Sequence, residues 1–491
     1  MDEKTGLRPR MWNRRQLLKM GLASVPIFMA SCKDTAGSAP QSDLDAGGSL
    51  DGGAIDAASA EAVWSPTALL ERDEPFSLGL HVGAVRADEG IIATFTADDA
   101  PKRLRVWETM SPEDLDARTI VIDEVLTPED GYMKAVIEGL SPGTHYGAAL
   151  LEGDDASWTG RSAIATFTTA WAPGDLSPVT FAATACTKYV HMPYEALLRT
   201  AEHPYDAFLQ LGDMGYYDDV STREGYRGMW RDTLRDPGYQ AVMRRGAFYA
   251  TLDDHEISNN AVRSEMDPEH YDAGRDAWFE HLAVPRDGDR FWDSYRWGDS
   301  VELFVLDCRT ERIPETRLTD DAIYISREQL AWLTQSLAES PCHFKAVMTS
   351  VPFSNLPELW GAGSDWWKGY WSQRQQLVDA IAPLDNVWFI AGDLHVGTVN
   401  RVDIEGPMRR NWEIMVGPGG PQFGNPIPGL AELQPEEAEA YLPGDQFLYA
   451  DASRKATFIT FDPVADTVHV RFLDAATGEV VFETTLTQEP A

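Results

Sequence analysis

The clearest indication of the architecture is the segment Val387-Trp388-Phe389-Ile390-Ala391-Gly392-Asp393-Leu394-His395, in which an apolar run ends directly in reactive side chains. A short run rich in β-branched and aromatic residues predicts a buried parallel strand. The same arrangement recurs three times, where residues 179–184, 207–211 and 247–252 precede the motifs Ala185-Cys-Thr, Gly212-Asp-Met-Gly-Tyr and Asp253-Asp-His-Glu. Because ligands collect beyond the carboxyl ends of strands in an open α/β sheet, we expect the motifs to form one site.

The side chains in these motifs are those of a metal site of mixed hardness. Asp213 and Tyr216 are three residues apart in a loop that leaves a strand, so they can place a carboxylate and a phenol on one ion. A phenol with a free pKa of about 10 needs a strong Lewis acid such as ferric iron to ionise near neutral pH, and a metal also stabilises a thiolate at Cys186. Asp393 and His395 point the same way on an extended segment and can bind neighbouring ions.

A second ion is expected beside the first, because Asp254 follows another strand end and the two oxygens of Asp213 can bridge two ions. Two metals about 3.5–4 Å apart clamp a phosphate for in-line attack by metal-activated water. His255 is placed to protonate the leaving alkoxide. Arg309, just beyond the predicted strand at 301–306, can grip a phosphate oxygen.

Each motif also has a purely structural interpretation. A Gly-Asp loop is usually a turn, a buried Cys is usually a core residue, and Asp254 and Glu256 can cap a helix. Arg309 can be an ion-pair partner, and Asn259 and Asn260 are residue types common in turns. The occurrence of four such motifs in one order, each after a strand, favours metal binding.

The order of the motifs resembles that of the calcineurin-like metallophosphoesterases, and their variants are similar to the alkaline phosphatase D (PhoD-like) branch. The resemblance implies that ferric iron is held by a thiol, a carboxylate, a phenol and an imidazole, namely Cys186, Asp213, Tyr216 and His395. It implies divalent ions, most often calcium with zinc or manganese as alternatives, on Asp213, Asp254 and Asp393, with Asn260 as a further candidate.

The sequence departs from the branch at residues expected around the pocket mouth. Thr187-Lys188 follows Cys186 where Gln is usual, Leu252 replaces Trp, and Glu311 replaces Tyr. These departures leave the proposed ligands intact and bear on substrate preference. An aromatic group between two motifs can form either a substrate wall or a packed cluster: Trp360, Trp366, Trp367, Tyr370 and Trp371.

The predicted fold class is α/β, with mixed sheets flanked by helices, preceded by an all-β domain. Residues 63–172 show alternating short strands without helical periodicity, and Leu140-Ser-Pro-Gly-Thr-His-Tyr146 resembles the loop of fibronectin type III domains, which predicts a β-sandwich. Residues 173–491 alternate strands with helices and end in antiparallel strands, which predicts the PhoD-like metallophosphatase domain.

The first 62 residues read as a leader and a tether. Residues 1–32 contain Arg14-Arg15, an apolar stretch at 20–30 too short to span a bilayer, and Cys32 as a candidate for lipidation. Residues 33–62, rich in Ala, Gly, Ser and Asp, predict a disordered linker. We therefore expect export by the twin-arginine route, a periplasmic or cell-surface location, and membrane contact only through the lipid anchor.

The formal net charge of -37 argues against nucleic-acid binding, which relies on Lys and Arg. Cys308 and Cys342 are expected at opposite ends of parallel strands, beyond the reach of a disulfide, which leaves Cys186 free. The expected function is hydrolysis of phosphomonoesters or phosphodiesters. The alternatives are a phospholipase D-like or other specific phosphodiesterase, and a cell-surface binding protein on an inactive phosphatase scaffold.

Overall fold

The computed structural model describes residues 64–111, 113–116, 119–154, 157–188, 192–216, 218–360, 366–420 and 439–491. The predicted signal, the lipidation candidate Cys32 and the linker lie outside these residues. None of the helices in the described ranges combines the length and the apolar character that crossing a membrane requires.

The secondary structure of the described chain is mostly strand, with helices concentrated after residue 190. The strands are β1 Leu80–Gly83, β2 Glu89–Phe95, β3 Lys102–Glu108, β4 Ile120–Leu126, β5 Tyr132–Glu138, β6 His145–Asp154, β7 Ser157–Arg161, β8 Ala165–Thr168, β9 Val179–Thr184, β10 Ala207–Gln210, β11 Ala247–Ala250, β12 Asp293–Trp297, β13 Val301–Val305, β14 Phe344–Thr349, β15 Val387–Ala391, β16 Gly397–Arg401, β17 Trp412–Val416, β18 Phe447–Asp451, β19 Lys455–Asp462, β20 Thr467–Asp474 and β21 Val480–Leu486. The α-helices are α1 Glu195–Ala201, α2 Arg223–Leu234, α3 Pro237–Met243, α4 Pro268–His281, α5 Arg327–Glu339 and α6 Trp371–Ile381.

Two mixed sheets form the centre of the fold. The nine-stranded sheet has the order β21-β20-β19-β9-β10-β11-β1-β2-β5, and its strands β9, β10 and β11 are parallel neighbours. The seven-stranded sheet has the order β12-β13-β14-β15-β17-β16-β18, in which β13, β14, β15 and β17 run parallel. The C-terminal strands β19, β20 and β21 therefore belong to the same sheet as the first motif strand, β9.

The two sheets pack face to face, and helices cover the outer faces. Side chains from both sheets share one buried core, in which Phe181 of β9 meets Trp297 of β12 and Phe461 of β19 meets Trp388 of β15. Helices α1 to α4 pack on the outside of the nine-stranded sheet, and α5 and α6 on the outside of the seven-stranded one. Because both faces of the central strands are buried, their sequences are continuously apolar rather than alternating.

Residues 64–171 form a second pair of packed sheets. One is the five-stranded sheet β4-β3-β6-β7 with β8 paired to β6; the other consists of β1, β2 and β5, which continue the nine-stranded sheet. The connection is made where Gly83 pairs in parallel with Phe248 of β11. The predicted sandwich is thus joined to the following fold through a shared sheet, while the exact boundary at residue 172 stays a prediction.

Three of the sequence's four cysteines lie in the described chain, and each of them is buried and free. Strands β13 and β14 are parallel neighbours with Val301 opposite Phe344, as the argument against a disulfide assumed. Cys308 lies beyond the carboxyl end of β13, and Cys342 lies before the amino end of β14, so the two cysteines are near opposite ends of neighbouring strands. Cys186 follows β9 and lies at the site described next.

Candidate metal centre

The four motifs follow β9, β10, β11 and β15, and their polar side chains meet between the carboxyl ends of the two sheets. The backbone there is unusually contorted. Six of the eleven described non-glycine residues with positive φ belong to this region, namely Cys186, Asp213, Tyr216, Asn260, Asp393 and His395. Such conformations cost free energy and persist where the surrounding structure enforces them, commonly at functional sites.

The first group consists of a thiol, a phenol, an imidazole and a carboxylate. The hydroxyl of Tyr216 lies 2.8 Å from Oδ2 of Asp213 and 2.8 Å from Nε2 of His395. The Cys186 thiol lies 3.4 Å from the same Asp213 oxygen. Donor atoms of Cys186, Asp213 and His395 all fall within 4.8 Å of one another, so a single ion could contact them together.

Of two further groups, one shares Asp213 with the first group, and the other shares Asp254 with the second. Asp213, Asp254 and His255 each place a donor atom within 4.8 Å of the others, and so do Asp253, Asp254 and Asp393. Asp213 therefore belongs to two adjacent groups, which is the arrangement a bridging carboxylate requires. Asp253 was not among the predicted ligands, although the Asp-Asp pair after β11 was a signal for it.

The electrostatics of the first group favour a bound cation. Burial, together with the charges of Asp253 and Asp254, raises the pKa of Asp213 well above its usual range. Burial and the nearby carboxylates likewise raise the pKa of the Cys186 thiol and of the Tyr216 phenol. A multivalent cation would reverse these shifts because it stabilises the ionised forms of all three donors. The donor set thus fits a metal ion chemically as well as geometrically.

Arg309 lies among the carboxylates of the site. Its Nε donates to Asp253, and its Nη2 lies 3.5 Å from Asp254 Oδ1 and 3.3 Å from Asp393 Oδ1. Its side chain is 2% exposed. These contacts match the ion-pair interpretation of Arg309, and its predicted grip on a phosphate oxygen stays a prediction. Although burial opposes ionisation, the charges of Arg309 and His255 hold the pKa of Asp254 below its usual range.

His255 is oriented by a carboxylate that the sequence analysis missed. Its Nδ1 lies 2.7 Å from Asp218 Oδ1, which also accepts the Asn259 amide at 3.0 Å. The His255 ring lies against the Tyr216 ring with centroids 3.8 Å apart. Although burial opposes it, the hydrogen bond with Asp218 raises the pKa of His255. The only signal for Asp218 in the sequence was an acidic pair five residues after Asp213.

Glu256 fixes two motif loops to each other. Its carboxylate accepts the backbone amides of Asp213 at 3.0 Å, Met214 at 2.5 Å and Asp253 at 2.8 Å. The sequence analysis considered it only as a helix cap. Gly212 permits this close approach, because it has φ of 85° and a Cβ there would lie 2.3 Å from Asp253 Cβ.

The remaining candidates are placed less directly. The backbone amide of Asn260 donates to Asp254, so its recorded contact with the site is through the backbone. Trp366 Nε1 donates to Asp393 Oδ2 at 2.8 Å. The other aromatic residues of that segment pack mainly in the interior or, for Trp371, face solvent. The described part of the aromatic group is therefore mostly a packed cluster with one member, Trp366, at the site.

Comparisons with known proteins identify the family and support the fold. The family model described as PhoD-like phosphatase matches residues 181–440. A solved structure described as PhoD is 19% identical, with a TM-score of 0.69, and the match covers 84% of this chain and 89% of that one. Purple acid phosphatase PPD1 from yellow lupin (Lupinus luteus) seeds is 14% identical, with a TM-score of 0.61, covering 84% of this chain and 74% of that one. A search of curated proteins gave no significant match.

Proposed function

The chain belongs to the PhoD-like phosphatase family and is a metal-dependent phosphoesterase, and from this premise we propose that it is an exported enzyme using ferric iron beside a divalent ion. The observation that carries the proposal is the convergence of Cys186, Asp213, Tyr216 and His395 from loops after β9, β10 and β15. A phenol and a thiol together are donors that suit ferric iron better than a hard divalent ion. The proposed substrates are phosphomonoesters and phosphodiesters.

The second ion is proposed to lie beside Asp254 and Asp393, with Asp213 shared between the two ions. Three carboxylates in a buried pocket favour a hard cation, and calcium is our first choice, with zinc or manganese as alternatives. Asn260 is retained as a candidate ligand because its backbone already contacts Asp254.

The residues around the ions have separable tasks in the proposed reaction. Bound metal ions would supply an ionised water at neutral pH and neutralise phosphate charge. Asp218 holds Nδ1 of His255, which leaves Nε2 to carry a proton to the departing alkoxide oxygen. Arg309 holds Asp253 and Asp393 in place. Its positive charge, next to these proposed metal-site carboxylates, would also attract a bound phosphate.

Export is proposed from the leader alone. The Arg14-Arg15 pair, the short apolar stretch after it and Cys32 support twin-arginine transport followed by lipid anchoring. Fractionation of cells producing the full chain tests this, because a Cys32→Ser variant should move from the membrane fraction to the soluble exported fraction. Equal membrane content of both chains would contradict the anchor.

Activity is tested with purified protein loaded with iron and calcium, on 4-nitrophenyl phosphate and bis(4-nitrophenyl) phosphate. We expect turnover of at least one substrate and its loss in Asp213→Asn, which removes the shared carboxylate. Asp232→Asn is the matched control, since Asp232 is an exposed residue of α2. Turnover of the diester alone would support the specific phosphodiesterase. Full activity of Asp213→Asn would contradict the proposed site.

A further inference from the structure

Lys188 lies at the metal centre, two residues after Cys186. Its Nζ is 5.3 Å from the centroid of the Tyr216 ring, whose hydroxyl contacts Asp213 and His395. Lys188 is partly exposed, whereas Tyr216 is 6% exposed, so Lys188 is the more solvent-accessible of the two residues. A partly exposed cation therefore lies beside one of the proposed iron ligands.

The backbone of Lys188 is held in place by the loop after β17. The amide of Gly420 donates to the Cys186 carbonyl at 3.0 Å, and that of Gly419 to the Ala185 carbonyl at 2.8 Å. A Cβ at Gly420 would lie 2.7 Å from the Lys188 nitrogen, so this close contact depends on the glycine. The side chain thus extends from an anchored point next to the Cys186 loop.

The two cations of the site differ in what they already bind. Arg309 is buried against Asp253, Asp254 and Asp393. Within the described part of the chain, Lys188 forms no ion pair, and its ammonium group lies over the face of the Tyr216 ring. A lysine ammonium on a flexible stem can turn to an incoming anion, since such a contact with an aromatic ring is weak at partly exposed sites.

The charge of the substrate decides what such a cation can discriminate. A phosphomonoester has three terminal oxygens and is largely dianionic at pH 8, whereas a diester has two and a single charge. The two proposed ions can each take one terminal oxygen. The third oxygen exists only in the monoester, and in a chain of net charge -37 a lysine ammonium near it would be a selective partner.

We propose that Lys188 is a specificity-determining residue that binds the third terminal oxygen of a phosphomonoester, and that the enzyme therefore prefers monoesters. The proposal rests on the proposed function, whose metal centre supplies the other two oxygen contacts. The alternative is that Lys188 only packs against Tyr216, in which case its loss would affect both substrate classes equally or neither.

The test compares kcat/KM of the metal-loaded full chain for 4-nitrophenyl phosphate and bis(4-nitrophenyl) phosphate, which share a leaving group. Lys188→Gln should lower the monoester value by about tenfold or more and change the diester value by less than about threefold, because a charge-assisted hydrogen bond is lost for one substrate only. Lys188→Arg should restore most of the monoester activity. Lys345→Gln is the matched control, since Lys345 lies near the start of β14, whereas the metal centre lies beyond the carboxyl ends of the strands.

Inhibition by inorganic phosphate gives an independent measurement. Dimethyl phosphate is the matched anion, because it has only two terminal oxygens. Lys188→Gln should weaken inhibition by phosphate about tenfold and leave inhibition by dimethyl phosphate unchanged. Equal effects on the two substrates, no effect on either, or a wild-type chain active only on diesters would overturn the proposal while leaving the phosphoesterase intact. A metal-loaded wild-type chain inactive on both substrates would instead count against the proposed function.

Discussion

The phenol of Tyr216 lies 2.8 Å from Nε2 of His395, although the two residues are 179 positions apart. Tyr216 follows β10 of one sheet, and His395 follows β15 of the other. The contact therefore depends on the two sheets packing face to face with their carboxyl ends together. The packing of the two sheets therefore assembles the metal site, because the same phenol also contacts the shared carboxylate of Asp213.

Removing that hydroxyl should weaken the proposed iron site selectively. Tyr216→Phe keeps the ring that lies against His255 but loses the contacts to Asp213 and His395. We expect iron content below half of the wild-type value after dialysis, measured by elemental analysis, with calcium retained. Phe95→Leu, a control at a partly exposed strand position outside the site, should keep its iron. Wild-type iron retention in Tyr216→Phe would show that the phenol is not a ligand.

The contact between His255 and Asp218 predicts a dependence on the leaving group. If His255 protonates the leaving oxygen, His255→Gln should slow hydrolysis of an alkyl phosphate by roughly 100-fold, because its alkoxide needs the proton. Hydrolysis of 4-nitrophenyl phosphate should fall far less, since nitrophenolate leaves without one. Asp218→Asn should show the same pattern at about tenfold. An equal loss of kcat for both leaving groups would assign His255 a different role.

Glu256 should contribute to stability as well as to the site. Replacing it by Ala leaves the amides of Asp213, Met214 and Asp253 without their buried acceptor, at a cost of about 3 kcal/mol or more in the free energy of unfolding. Glu256→Gln keeps an acceptor oxygen and should cost less. Denaturant unfolding of the metal-free proteins measures both values. A change below about 0.5 kcal/mol in Glu256→Ala would contradict the bracing role.

The β-rich half predicts an acid sensitivity that is independent of the metals. His81 of β1 accepts the Ala283 amide, and burial, with the charges of Lys134 and His281, lowers its pKa to about 3. Since the unfolded value is about 6.5, the unfolded state takes up a proton that the folded state refuses between these limits. The stability contributed by neutral His81 is therefore complete above pH 6.5 and is lost progressively toward pH 3.

His81→Gln can keep a hydrogen-bond acceptor for the Ala283 amide but has no side chain that titrates in this pH range. At pH 7.5 the variant should unfold at a lower temperature than the wild type. The difference between the free energies of unfolding of the two proteins should shrink by roughly 1.4 kcal/mol per pH unit below pH 6.5, because only the wild type loses stability when His81 must stay unprotonated in the folded state. Thermal unfolding from pH 7.5 to 4.5 measures the trend. A difference that is constant with pH would mean that His81 titrates normally in the fold.

Much of this arrangement could be predicted from the sequence because its signals were local. Continuous apolar runs mark the central strands, and the local segment Ser326-Arg-Glu-Gln329 starts α5, where the Ser326 side chain accepts the Gln329 amide. Helix α4 begins at Pro268 because Asp267 caps it and the proline occupies its first position, so local capping residues mark its start. The shared sheet at Gly83 and Phe248 depends on a long-range pairing that no local pattern encodes.

The residues of the site could likewise be predicted where the signal was local and not where it depended on long-range contacts. Cys186, Asp213, Tyr216 and His395 could be anticipated because each follows the carboxyl end of a buried strand, β9 or β10 in one sheet and β15 in the other. Asp218 and Trp366 could not, because their roles depend on which side chain the folded loops bring opposite them. The contacts of Arg309 with three carboxylates likewise reflect where the loops meet rather than any feature of its neighbours in sequence.

The central claim is that Cys186, Asp213, Tyr216 and His395 together bind ferric iron. The most direct measurement is the visible absorption spectrum of the purified full chain, recorded with its iron content by elemental analysis. We predict about one iron per chain and a charge-transfer band from phenolate or thiolate that is lost or strongly shifted in Tyr216→Phe. An active, colourless preparation without iron would contradict the account.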